Sequence, residues 1–110
     1  MTTIPSDLAE QVRDALRIVV DPELGYNIVD LGFVYEVIVQ HSGDVRIVMT
    51  TKTRGCPATD FLQQGARDSA SIVSGIGAID VVVTHDPPWT PEMMSSDAKQ
   101  YFGISDAADW

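Results

Sequence analysis

The segment from Val45 to Thr84 sets the architecture, because its hydrophobic period changes twice. Val45, Ile47 and Met49 alternate with Arg46, Val48 and Thr50, the two-residue period of a half-buried strand. Phe61, Leu62, Ala66, Ser69, Ala70, Ile72 and Val73 then recur at helical spacing. With Pro57 at the first helical position and Gly75 as a left-handed terminator, this predicts a helix of about 16 residues. Ala78 to Thr84, in which Val81, Val82 and Val83 are contiguous, reads as a strand buried on both faces. Strand–helix–strand connections within one sheet are right-handed and parallel. A further strand, Phe33 to Gln40, precedes these, with Phe33, Tyr35, Val37 and Val39 on one side and Val34, Glu36, Ile38 and Gln40 on the other. The short turn His41-Ser42-Gly43-Asp44 joins it to the Val45–Thr51 strand as an antiparallel hairpin and leaves His41 at a solvated tip. The expected fold is a small two-layer α/β sandwich in α-β-β-α-β order, with a mixed three-stranded sheet.

The flanks are consistent with that frame. Asp7 and Glu10 make a capping-box-like start, after which Leu8, Val12, Ala15, Leu16 and Val19 share one helical face. Glu10, Arg13, Asp14 and Arg17 form a solvated face. Asp21-Pro22 ends the helix by about Val20, since the residue before a proline avoids helical geometry. The stretch Glu23 to Gly32 is too apolar for a loose loop and has two glycines, so it reads as turns folded against the core. Asp21, Glu23 and Asp30 are there either as ligands or acid–base groups, or as caps for turn N–H groups, the last being the commoner task of Asp. At the other end, Thr90 and Pro91 supply an N-cap and first-turn proline for a short helix ending near Phe102 before Gly103. Trp89, held between prolines, either closes the core or faces a partner.

With 110 residues and 45% hydrophobic content, the chain suits a single domain over residues 1–110, its core at about 7–103 and a frayed acidic tail from Ile104 to Trp110. A net charge of −9 argues against nucleic acid and anionic membranes as partners. No segment approaches the ~20 apolar residues of a membrane span, and Met1-Thr2-Thr3-Ile4-Pro5 does not begin a signal peptide. The expected location is the cytoplasm.

Chemistry concentrates at Thr50-Thr51-Lys52-Thr53-Arg54-Gly55-Cys56-Pro57, which carries the one cysteine of the chain. Cys56 falls next to the expected helix start, where free N–H groups and the positive end of the helix dipole favour thiolate. Lys52 and Arg54 add to that effect. The alternative is burial as a small hydrophobe. Alone, with only His41 and His85 for company, it does not make a self-contained zinc or iron–sulfur site.

Three motifs stand in register: Asp21-Pro22-Glu23-Leu24-Gly25 with Asn27-Ile28-Val29-Asp30-Leu31-Gly32, then Thr53-Arg54-Gly55-Cys56-Pro57, then Asp86-Pro87-Pro88-Trp89-Thr90-Pro91. Together they closely resemble the SufT/PaaD-like family of iron–sulfur cluster assembly proteins, over nearly the whole chain. The resemblance implies an α/β domain like the iron–sulfur assembly domains. It also implies that Cys56 holds iron or a cluster transiently or shared between chains, with Asp21, Glu23, Thr53, Asp86 and Trp89 as supporting residues. A homodimer, or an iron–sulfur scaffold, carrier or client protein, then supplies the missing ligands. Lys52, Arg54 and Ala58 depart from the family pattern, where threonine, proline and methionine are usual. Binding and handing over, without turnover, is the leading function. The alternatives are a PaaD-like accessory protein of a phenylacetyl-CoA ring-epoxidising oxygenase, a cysteine enzyme with His85 as base to Cys56, and an interaction module whose cysteine is structural.

Overall fold

A computed structural model describes residues 5–104. Its elements are α1 (Pro5–Ala15), a 3-10 turn (Leu16–Ile18), β1 (Val20–Asp21), β2 (Tyr26–Asn27), β3 (Val34–Val39), β4 (Val45–Met49), α2 (Thr59–Ala70), β5 (Ile79–Val83), a second 3-10 turn (Pro91–Met93) and α3 (Ser96–Phe102). The sheet order is β3-β4-β5. β3 and β4 pair antiparallel with Val37 opposite Ile47, and β4 and β5 pair parallel with Val45 opposite Ile79 and Met49 opposite Val83. This is the expected mixed sheet, with the helical crossover α2 making the parallel pair.

Val45, Ile47, Met49 and Val81 point to the helical layer and are buried with Val12, Leu16, Leu62, Ala66 and Ala70. Each such Val, Leu, Ile or Met side chain contributes about 1.5–3 kcal/mol by leaving water, and each alanine methyl about 0.8 kcal/mol. The opposite face of the sheet carries Glu36, Ile38, Arg46, Asp80 and Val82, all exposed. β5 is therefore not buried on both faces. The helices cover one side only and β5 is an edge strand, so a contiguous valine run overstates its burial. In β3 a register shift between Val34 and Glu36 turns both Phe33 and Val34 inward.

The helix boundaries also differ from expectation. α1 begins at Pro5, two residues before Asp7. α2 begins at Thr59 and ends at Ala70, so Gly75, although left-handed at φ +89°, lies beyond the helix and does not terminate it. Phe61 and Ile72, read as part of the buried stripe, are 60% and 71% exposed. They line an apolar groove of about 400 Å³ with Ile18, Val19, Val20 and Gly65. A Cβ on Gly65 would stand 3.2 Å from Val19 Cγ1, so the missing side chain lets α2 approach the 3-10 turn after α1. Thr90 and Pro91 open only a 3-10 turn. α3 is capped instead by Ser95, whose hydroxyl accepts from Ala98 N at 3.2 Å.

The stretch between α1 and β3 folds as anticipated against the core, with Ile28 and Leu31 fully buried. It also contains the β1–β2 ladder, too short for a periodicity to reveal. Of its acidic residues, Asp21 caps a turn N–H and Asp30 binds side chains instead. Asp21 accepts from Leu24 N at 2.8 Å, while Asp30 accepts from Asn27 Nδ2 and Arg17 Nη1, both at 2.8 Å. Arg17 therefore leaves the solvated face to tie α1 to this loop. Burial pushes the Asp30 carboxyl up, but the hydrogen bonds from Asn27 and Arg17 outweigh it and hold the pKa below the ordinary carboxylate value. Ile104 packs against the core and donates its N–H to Lys99 O at 2.7 Å, so it is not part of a frayed tail. Residues 105–110 of the expected tail lie outside the described residues.

Candidate functional site

The parallel register of β4 and β5 decides where the chemistry collects. With Met49 opposite Val83, both strands end at the same edge, and their outgoing loops, 50–58 and 84–90, lie side by side. Open α/β sheets place ligands in the crevice outside the carboxyl ends of their strands. Thr84 N extends the pairing by donating to Met49 O at 2.9 Å. Side chains then continue it: Thr51 Oγ1 donates to Thr53 O at 2.8 Å and lies 2.9 Å from His85 Nε2. Since the hydroxyl proton goes to Thr53, His85 Nε2 is assigned as the donor to Thr51, which leaves Nδ1 as the free ring nitrogen.

Lys52, Thr53, Arg54, His85, Asp86, Pro88 and Trp89 line a cavity of about 440 Å³ between the two loops. Its wall is fixed from behind. Trp89 Nε1 donates to Leu31 O at 2.7 Å, and the indole meets Phe33 edge-on with ring centroids 5.3 Å apart. Tyr35 donates its hydroxyl to Pro87 O at 2.8 Å. Trp89 thus closes the core with one side of its ring system and faces the cavity with the other.

Of the residues singled out by sequence, Thr53, Asp86 and Trp89 meet in this cavity. Cys56 does not line it. The thiol is partly buried, on the same loop two residues beyond Arg54, and makes no hydrogen bond among the described residues. It is also not at the helix N-cap, which is Ala58. Cys56 O instead accepts from Thr59 N at 3.1 Å and from Thr59 Oγ1 at 2.8 Å, so Pro57 and Ala58 form a turn that holds the thiol one step away from the first helical N–H groups. His85 bonds Thr51 through Nε2, and no hydrogen bond joins it to Cys56 among the described residues. His41 is exposed at the β3–β4 turn, away from both loops.

Asp21 and Glu23 belong to the β1–β2 turn and have no hydrogen bond or ion pair with Cys56. The shared groove of Val20 and Phe61 sets that turn beside the first turn of α2. Asp21 is 2% exposed and its carboxylate serves Leu24 N. Asp21→Ala should therefore cost about 1–2 kcal/mol by leaving a turn N–H without its acceptor. Asp21→Asn, whose amide oxygen still accepts, should lose less than half of that in urea unfolding. Equal losses in both variants would show that the charge, and not the cap, is what the fold requires. Among the described residues no three His, Cys, Asp or Glu side chains gather into a group able to hold a metal ion. Sequence reasoning did not bring Lys52, Arg54 and His85 together, because the loops meet only through the β4–β5 register.

Comparison with known proteins agrees with this fold. The family described as "Iron-sulfur cluster assembly protein" matches residues 9–84. The Fe-S protein maturation auxiliary factor SufT of Staphylococcus aureus is 38% identical over 79% of this chain and 99% of its own. A protein of Escherichia coli strain K12 described as one component of a 1,2-phenylacetyl-CoA epoxidase is 35% identical over 98% of this chain and 67% of its own. The crystal structure of a domain of unknown function from Bacillus anthracis superposes with a TM-score of 0.86 at 33% identity, covering 92% of this chain and 96% of that one. The α/β sandwich, the two crevice loops and these matches lead to one assignment: the chain belongs to the iron–sulfur cluster assembly protein family that includes SufT-like and PaaD-like members.

Proposed function

We propose that this protein is a cytoplasmic iron–sulfur assembly or maturation factor that takes iron or a cluster transiently on Cys56 and passes it to client proteins. The observation that carries the reading is the position of the chain's one thiol. It sits partly exposed and without a hydrogen-bond partner on a loop at the carboxyl end of the parallel strand pair, in a member of an assembly family. Clusters are ordinarily held by four cysteine thiolates. One thiolate supplies a quarter of that set, a second copy of this chain brings it to half, and a scaffold, carrier or client protein supplies the remainder. Release is then simple. An acceptor thiolate displaces a single bond between Cys56 and iron, and Cys56 leaves as thiolate, ready for the next load. The work is binding and transfer, not turnover. The apolar groove of Ile18, Phe61 and Ile72 starts one turn into α2 from the Cys56 loop, and it suits an apolar side chain of the protein that receives the cargo. A PaaD-like accessory role is the second reading, supported by the match to the E. coli epoxidase component across 98% of this chain.

The single cysteine makes the reading directly testable. Anaerobic incubation with ferrous iron and sulfide should give a chromophore with no more than one cluster per two chains, measured with oligomeric state on the same samples. Prior alkylation with N-ethylmaleimide, which has one cysteine to modify, should abolish it. Equal iron and sulfide in alkylated and untreated protein would remove Cys56 from the site.

A further inference from the structure

We infer that the cavity between the 50–58 and 84–90 loops is a binding site for a small organic polycarboxylate. The first observation is a charge anomaly. The chain carries seven Lys and Arg against sixteen Asp and Glu, so unpaired cations are not expected to persist close together. Arg17 and Arg46 are in ion pairs, Arg67 donates to Ile79 O, and Lys99 is engaged. Arg13, Lys52 and Arg54 have no hydrogen-bond or ion-pair partner among the described residues. Two of those three, separated by one residue, line this single cavity. Asp86 is on the same lining and does not approach either closely enough to pair with it, so the cations outnumber the carboxylate.

The second observation is preorganisation. His85 is held by Thr51, Thr53 by the same hydroxyl, Trp89 by Leu31 O and Phe33, and Pro87 by Tyr35. A ligand entering here orders only the two long side chains, which lowers the entropic cost of binding.

Size and surroundings narrow the ligand. About 440 Å³ lies in the range of small-molecule sites and is more than a bare inorganic anion fills. Pro88 and the free side of Trp89 offer apolar surface to a carbon skeleton, while the planar guanidinium of Arg54 matches a carboxylate bidentately and Lys52 adds a point charge. The net charge of −9 repels an extended acidic protein over the rest of the surface, but a compact anion meets only the local field. The site does not depend on whether Cys56 carries iron, because Cys56 is not part of its lining.

Isothermal titration calorimetry on the full chain at low salt, using citrate, inorganic phosphate and a pentaglutamate peptide, tests the assignment. Citrate should bind with a dissociation constant below about 1 mM and shift the Trp89 indole and His85 ring resonances. The affinity should fall at least tenfold in the Lys52→Gln, Arg54→Gln double variant, whose altered side chains are both exposed and whose amide spectrum should otherwise match wild type. Four results would each overturn the proposal: unchanged citrate affinity in the double variant, phosphate binding as tightly as citrate, the peptide binding more tightly than citrate, or no citrate binding in the millimolar range.

Discussion

Cys56→Ala should eliminate the iron–sulfide chromophore completely while shifting the thermal midpoint by less than about 5 °C. The two halves of this expectation have separate causes. The thiol is partly buried and makes no hydrogen bond among the described residues, so removing one sulfur forfeits a fraction of a buried side chain's transfer energy, below about 1 kcal/mol. For a domain of this size a kilocalorie corresponds to roughly 4–8 °C in melting temperature. The turn that positions the thiol is made by its backbone carbonyl to Thr59, which alanine keeps. On the proposed reading, iron by contrast loses its one thiolate on this chain, and no group of three His, Cys, Asp or Glu among the described residues can replace it. Iron and sulfide retained by the variant at wild-type levels would exclude Cys56 as a ligand. A fall of more than about 10 °C would instead assign it a structural task. Cluster transfer to an apo-acceptor, lost with the fold intact, would tie the residue to handing over.

The fold was legible where local pattern and tertiary environment agree. The alternation of Val45, Ile47 and Met49 against Arg46 became a strand with one covered face, and Leu62, Ala66 and Ala70 became the buried stripe of α2. Sequence allows Trp89 to be either core or partner surface, and its bond to Leu31 O and contact with Phe33 make it core on that side. What misled was composition without position. The valines of β5 suggest a strand covered on both faces, yet strand order alone decides which strand is at an edge. Phe61 and Ile72 fit helical spacing but fall on the face of α2 that no element covers.

The site was legible residue by residue and not as an arrangement. Pro57 is a good first helical residue in isolation, but here the Thr59 hydroxyl and N–H both return to Cys56 O, and the helix starts two residues later. That difference moves the thiol off the N-cap. Lys52 and Arg54 read in sequence as neighbours of Cys56. Only the β4–β5 register, Met49 opposite Val83, brings them against His85 and Trp89. Such a meeting has no local signal, because it depends on which strands pair and in which direction.

Gly32→Ala should be among the most damaging single-methyl changes, costing about 2–5 kcal/mol and lowering the melting temperature by roughly 8–40 °C. Two terms add. Gly32 has φ +83°, where a Cβ costs about 1–2 kcal/mol. The added carbon would also collide with the carbonyl oxygen of Met93 and stand 2.7 Å from its carbonyl carbon, a backbone group that cannot rotate away. Overpacking of this kind costs about 1–3 kcal/mol. Gly25→Ala is the matched control: φ is +71° but nothing lies within 4 Å of the new Cβ, so only the backbone term applies. The collision also has a functional direction. Trp89 Nε1 bonds Leu31 O and Ser95 N bonds Asp30 O, at 2.7 and 2.8 Å, so the close approach at Gly32 is what seats the 89–95 segment against the core. Pushing Met93 outward would loosen Trp89, the rigid wall of the cavity beside the Cys56 loop. Gly32→Ala should accordingly shift the Trp89 indole resonance as well as lower the midpoint, whereas Gly25→Ala should leave the resonance in place and lower the midpoint by less. Midpoints for the two variants within about 3 °C of each other would mean that the Gly32–Met93 approach does not hold this end of the fold together.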